Sequence, residues 1–246
     1  MNRIKILLYN TQYLLGIDGS ALKYALNFYR YVYCPRSVRK KVITKLVETI
    51  DKEKPDICCF IEMEKNSIFD ELKKLMNAYP VQWIENKYGI KSLLRHLPFF
   101  KTKGNAFFAK NILGVKIHYL KYGTKKLVYE IHLPKDIFIF MAHFSLVADT
   151  REKQFREIKK MTEDKNQVII CGDFNVFKGL SELDHLVAGG NLKIINGPND
   201  KTFPSYKPKN VLDIFICSKN IDVAELRVLT DVKISDHLPV ILEINT

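Results

Sequence analysis

The sequence predicts an α/β (α+β) fold of mixed β-sheets covered by helices. Short apolar runs rich in β-branched and aromatic residues recur along the chain, and helical patterns sit between some of them. The order alternates strand and helix early, presents hairpin-like strands in the middle, then alternates again. No Pro/Ser/Gly-rich linker, low-complexity segment or visible internal repeat divides the 246 residues, so one domain over 1–246 is expected.

The first run, Ile4 to Tyr9, is a strand. Its apolar stretch is brief, is interrupted by Lys5 and lacks a small-residue cleavage site, so the N-terminus from Met1 reads as strand and not as signal peptide. Gly16 to Cys34 fits no tidy element. Ser37 to Lys54 places Val38, Val42, Leu46 and Ile50 on one helical face, and Pro55 stops it. A strand over Ile57 to Ile61 precedes a helix over Ser67 to Ala78, capped by Ser67. Lys87 to Lys103 is the second segment without a regular pattern, and both irregular segments are candidate rim loops. Strands follow at Ala106 to Ala109, Val115 to Tyr119, Leu127 to Leu133 and Ile137 to Phe144, then a helix from about Thr150 to Asp164. Val168 to Cys171, Val211 to Cys217 and Leu238 to Ile244 complete the set of strands.

The 39 Lys and Arg against 27 Asp and Glu leave a formal charge of +12 and a pI near 9.3. That balance favours an acidic partner: nucleic acid, anionic lipid or a phosphorylated metabolite. With 47% hydrophobic residues and a mean hydropathy of −0.11 the chain can bury a sizeable core. No apolar run approaches the roughly 20 residues that cross a bilayer, so no integral membrane segment is expected. Cys58, Cys59, Cys171 and Cys217 lie inside apolar runs, where a thiol acts as a small hydrophobe, which suits a reducing, cytoplasmic setting. Arg39, Lys40, Lys41 and Lys45 read as a solvated helix face, and His118 and His132 as structural. The aromatic and basic stretch from Lys23 to Tyr33 admits three readings: a membrane-resting segment, a base-stacking rim, or core packing, which is preferred.

Chemistry enters where polar residues end or interrupt apolar runs. Asn10 ends the first strand, Glu62 follows the second, and His143 sits late in a central one. Asp173 and Asn175 follow Val168 to Cys171, Asp213 interrupts Val211 to Cys217, and Asp236-His237 precedes the last strand. A carboxylate beside apolar residues is costly unless paired, hydrogen-bonded or bound to a cation. Glu62 and Asp236 offer hard oxygen ligands with no competing thiolate or His cluster, which points to Mg²⁺ or Mn²⁺. His237 is a candidate acid or base, and Asp213 can hold its ring in one tautomer, although a capping role for Asp213 stays open. With no G-x-S-x-G elbow, metal-assisted water attack is preferred over a covalent acyl enzyme.

Five motifs, Tyr9-Asn10, Ile61-Glu62, Gly172-Asp173-Phe174-Asn175, Leu212-Asp213-Ile214-Phe215 and Ser235-Asp236-His237-Leu238-Pro239, resemble the motif set of the endonuclease/exonuclease/phosphatase (deoxyribonuclease I-like) superfamily in its order. The resemblance implies a four-layer α/β sandwich, two packed mixed β-sheets flanked by helices. It implies that Glu62, with Asn10 and Asp236, holds Mg²⁺ against a phosphate, that Asp173 orients or deprotonates the attacking water, and that Asn175 donates to the phosphoryl oxygens. His237, paired with Asp213, would contact the phosphoryl group. His143 in Ala142-His143-Phe144-Ser145 matches a second family histidine that bonds the phosphoryl oxygens and can assist the leaving group. Asn105 and Arg151 are further candidates for phosphate contacts.

Departures from the pattern narrow the reading. Abasic-site endonucleases of the superfamily carry other residues where His143, Gln12 and Ile61 stand, so abasic-site repair is disfavoured. The histidine version is shared by deoxyribonuclease I, neutral sphingomyelinases, inositol polyphosphate 5-phosphatases, deadenylases and tyrosyl-DNA phosphodiesterases. The expected function is a divalent-metal-dependent phosphoester hydrolase with nucleic acid as leading substrate. A phospholipid or phosphoinositide hydrolase is the second reading, and a catalytically silent binding module the third.

Overall fold

The computed structural model describes residues 3–246; Met1 and Asn2, the start of the stretch read as a strand, lie outside them. The strands are β1 (Arg3–Asn10), β2 (Ile57–Glu64), β3 (Val81–Asn86), β4 (Lys103–Ala109), β5 (Gly114–Tyr119) and β6 (Leu127–Leu133), then β7 (Ile137–His143), β8 (Gln167–Asp173), β9 (Leu192–Ile194), β10 (Asp213–Ser218), β11 (Val223–Val228) and β12 (Val240–Asn245). The helices are α1 (Ala21–Asn27), α2 (Arg36–Glu53), α3 (Ser67–Leu75), α4 (Ala148–Thr162) and α5 (Asp184–Val187).

Two mixed six-stranded sheets form, ordered β11-β12-β1-β2-β4-β3 and β5-β6-β7-β8-β10-β9. Each has one parallel pair at its centre, β1 with β2 and β7 with β8, and antiparallel pairs on both sides. The parallel pairs need crossovers, and α2 and α4 supply them. The two halves therefore share an architecture that no sequence repeat reveals.

Three apolar clusters separate four layers. Ile6, Leu8, Cys59 and Phe107 of the first sheet meet Tyr129, Ile139, Ile169 and Phe215 of the second in the central core. Leu7, Phe60 and Phe108 turn the other way onto Leu46, Ile50, Phe69 and Leu72 of α2 and α3. Phe140, Ile170 and Ile214 pack on Phe155, Ile158 and Leu186 of α4 and α5. This period-2 division is why the strands read as almost continuous apolar runs: both faces are covered. Each such side chain contributes about 1.5–3 kcal/mol on burial.

Strands β3, β9 and β11 escape the sequence reading. All three are sheet edges, where one side and often one face remain wet, so the apolar pattern is weak. The cap of α3 is Asn66 and not Ser67, its side-chain oxygen accepting from Ile68 and Phe69 backbone N–H groups. The preferred core packing of Lys23 to Tyr33 is overturned. Helix α1 and the 3₁₀ turn Phe28–Tyr31 have no buried residue, and only Tyr24, Tyr31 and Cys34 lean on the small cluster of Tyr13, Leu15 and Ile17.

Candidate active site

The parallel pairs decide where chemistry gathers. Asn10 ends β1, Glu62 lies near the end of β2, and His143 and Asp173 end β7 and β8 as register partners. Asp213 opens β10 opposite Asp173, and Asp236-His237 leads into β12. All fall at one end of the sandwich.

Local backbone devices aim these groups. The β2–β4 register slips between Phe60 and Met63, and Glu62 within the bulge has φ +56°, so β2 continues past the Ile61 limit read from sequence and turns the carboxylate into the site. At Gly172 a Cβ would stand 1.7 Å from the Ala142 carbonyl oxygen; the close approach sets Asp173 beside His143. Asn175 has φ +54° and donates its amide to the Phe144 carbonyl (2.9 Å), while its N–H donates to Asp173 Oδ1 (3.1 Å). Ser235 Oγ donates to the Asn10 carbonyl (2.7 Å), tying the His237 segment to β1.

Asp173 is the hub. Its Oδ2 accepts from Asn10 Nδ2 at 3.0 Å and lies 3.3 Å from His143 Nε2 and 3.9 Å from His237 Nε2. Burial works against its charge, but His237, His143 and Lys125 outweigh it and hold the carboxyl well below the usual range. His237 Nδ1 donates to Asp213 Oδ2 at 2.6 Å, and its ring packs on Phe203 with centroids 5.0 Å apart. Burial alone would lower the His237 pKa; the Asp213 and Asp173 charges raise it to about 10, so the ring is an imidazolium at neutral pH. Burial raises Asp213, with the His237 charge opposing.

His143 behaves in the opposite way. Burial and the adjacent Lys125 ammonium, which touches Nε2, push it down to about 4. Lys125 itself is lowered to about 8 by burial. Glu62 accepts from Tyr13 Oη (3.1 Å) and Lys87 Nζ (3.2 Å), and Lys87, His143 and Lys125 overcome its burial to hold it at about 2. Asp236 accepts from the Tyr24 hydroxyl, and its Oδ1 lies 3.1 Å from Ser235 Oγ, whose one proton it shares with the Asn10 carbonyl. Burial, with the Glu62 charge adding, raises Asp236 to about 6.

The geometry thus brings together Asn10, Glu62, His143, Asp173, Asp213, Asp236 and His237. Asn175 adjoins them, and Asn105 Oδ1 accepts from the Glu62 N–H (3.2 Å) while its buried Nδ2 has no hydrogen-bond partner among the described residues. Arg151 goes elsewhere: its guanidinium donates to the Ser145 and Leu146 carbonyls (3.0 and 3.1 Å) and pairs with Glu182. Lys125, Lys87, Tyr13 and Tyr24 touch the candidate site residues and were not singled out from sequence as site candidates. Nothing local marks them; Lys125 becomes visible only once β6 is known to lie beside β7.

Among the described residues no group of three or more His, Cys, Asp or Glu is arranged to hold a metal ion. The available donors are two carboxylates, Glu62 and Asp236, and the Asn10 amide oxygen, a hard set suited to Mg²⁺ or Mn²⁺. The Glu62 charge raises the Asp236 pKa, a repulsion that a shared cation would relieve.

A two-sheet sandwich with carboxylates, imidazoles and amides at one end defines a class of α/β hydrolytic folds. The chain belongs to the endonuclease/exonuclease/phosphatase family, a family of phosphoester hydrolases, which it matches over residues 32–237. A search of curated proteins found no match. Among solved structures it is similar to an endonuclease/exonuclease/phosphatase from Beutenbergia cavernae (15% identity, TM-score 0.72), covering 100% of this chain and 72% of that one. It is similar also to D. rerio TDP2 complexed with a single-strand DNA product (14%, 0.66, 100% of both chains). A Bacteroides thetaiotaomicron mannosyl-6-phosphatase matches at 17% and 0.68, over 99% of this chain and 100% of that one. At these identities the likeness establishes the four-layer fold.

Proposed function

We propose that the chain is a divalent-metal-dependent hydrolase of phosphoesters that acts by water attack at phosphorus. The observation that carries this reading is the convergence of His143, His237 and Asn10 on one Asp173 carboxylate oxygen. Asp173 is held ionised; a carboxylate so stabilised is a poor proton acceptor at rest, so its first role is to orient the water by accepting its hydrogen bond. His237 remains an imidazolium and presents Nε2–H to the equatorial oxygens, where charge accumulates. His143 is neutral, and the Lys125 ammonium beside it adds positive charge on the same side. Asn175 and the unpartnered Asn105 amide are further donors. Glu62, Asp236 and Asn10 would hold the cation, which supplies Lewis-acid stabilisation of the phosphoryl oxygens. The four buried free thiols, Cys58, Cys59, Cys171 and Cys217, support a reducing, cytoplasmic setting.

For the substrate, the +12 charge asks for an acidic partner, and nucleic acid is the leading reading. The exposed apolar side chains on the loops around the site favour the second reading, a phosphoester at an anionic lipid surface. The test is turnover of bis-p-nitrophenyl phosphate, single-stranded DNA, RNA and phospholipid with Mg²⁺ or Mn²⁺, with Asp173→Ala as control. Activity that Asp173→Ala retains would overturn the reading, as would silence on every phosphoester.

A further inference from the structure

Eighteen large apolar side chains are exposed among the described residues, and fifteen of them lie in six connections: residues 11–34, 87–102, 120–126, 144–147, 174–179 and 195–212. Strand directions put all six at the end that carries the site. Segments 11–34, 144–147 and 174–179 leave β1, β7 and β8 where Asn10, His143 and Asp173 stand. Segments 87–102, 120–126 and 195–212 lead into β4, β6 and β10, which run antiparallel to β2, β7 and β8. The densest group is Leu22, Leu26, Phe28, Tyr29, Val32 and Tyr33, with Val32 82% exposed. Ile90, Leu93, Leu97 and Phe99 form the next, with Leu93 84% exposed. Leu146 and Val147 stand beyond β7, and the other three lie singly in the remaining connections.

The same six connections hold 13 Lys or Arg and two acidic residues, Asp18 and Asp200. They carry nearly all of the +12, leaving the rest of the chain close to neutral.

We propose that this end of the molecule docks on an anionic bilayer, with the apolar side chains entering the headgroup layer and the exposed lysines meeting lipid phosphates. Among these are Lys91, Lys101, Lys121, Lys178, Lys201 and Lys207, but not Lys87 and Lys125, which turn into the site. Charge complementarity names an anionic partner, and the apolar residues say which kind. A polynucleotide rewards stacking aromatics and a basic groove. More than half of the fifteen are aliphatic and gain only by leaving water, which a bilayer interface offers. A protein partner seated on connections that surround the site would close it to substrate, whereas a membrane brings phosphoesters to it. Helix α1 also links surface to chemistry, since it presents Leu22 and Leu26 outward while its Tyr24 hydroxyl bonds Asp236. That the docked face meets a substrate rests on the hydrolase reading; the docking itself does not.

The experiment is co-flotation of the full chain with phosphatidylcholine vesicles made with and without phosphatidylserine, beside hydrolysis of bis-p-nitrophenyl phosphate. The chain is expected to float with phosphatidylserine vesicles and to be released by salt. Combined Leu26→Ser, Val32→Ser and Leu93→Ser should weaken binding at least about tenfold, with hydrolysis of the soluble ester unchanged. Lys91→Gln and Lys101→Gln, at exposed positions that do not disturb folding, should weaken it on the order of fivefold for each charge removed. Failure to float, flotation unaffected by all five substitutions, or loss of single-stranded DNA binding in the serine variant with vesicle binding intact would overturn docking. Flotation without turnover would overturn the hydrolase reading and leave docking standing.

Discussion

His237 Nδ1 lies 2.6 Å from Asp213 Oδ2, and the bond joins the two sheets: His237 leads into β12 of one and Asp213 opens β10 of the other. Because the His237 pKa is raised from 6.5 to about 10, its pairing contributes stability fully below pH 6.5 and loses it as pH rises through about 10. The melting temperature should fall across that window. Asp213→Asn should flatten the fall and lower turnover about 10²- to 10³-fold. Melts and rates between pH 6 and 10.5 check both.

Lys125→Met removes the ammonium that, after burial, does most to hold His143 near pH 4. The His143 pKa should then rise and carry the acid limb of the pH–rate profile to higher pH, with a loss of turnover from the missing charge. A profile whose acid limb stays in place would show that His143 does not govern it.

Mg²⁺ or Mn²⁺ should stabilise the fold by about 2.7 kcal/mol at one hundred times its dissociation constant, and the melting temperature should climb with the logarithm of the metal concentration. Glu62→Gln should abolish the shift while the apo protein stays folded, and a chelator should stop hydrolysis. Calorimetric titration checks the same affinity without reference to activity.

Arg151→Ala should act on stability and not on the reaction. Its guanidinium anchors the Ser145 and Leu146 carbonyls and Glu182, so its loss should cost about 1.5–3 kcal/mol. KM for a small phosphodiester should hold at its wild-type value. A raised KM at normal stability would return Arg151 to the phosphate.

The candidate site was legible because its residues end or interrupt apolar strands, where a polar group is costly unless paired or bound. Asn10, Glu62, Asp173 and Asp236 stand out in this way without any three-dimensional information. Lys87, Lys125 and Tyr24 do not, because each enters from a connection between strands whose path depends on the finished fold. Edge strands β3, β9 and β11 were hidden by partial exposure, and the Lys23 to Tyr33 stretch misled because aromatic content alone does not say which side faces water. Arg151 shows the converse hazard: a basic residue behind a motif histidine serves to hold a loop.

The parallel pair at the centre of each sheet carries a consequence for evolution and engineering. Asn10, Glu62, Asp236 and His237 ride on one sheet, and His143, Asp173 and Asp213 on the other, so neither half holds the candidate site alone. On the proposed hydrolase reading, turnover would gauge the alignment between the halves. Repacking the Phe107–Tyr129 contact in the central core, remote in chemistry from phosphate, would then be expected to change the rate of hydrolysis.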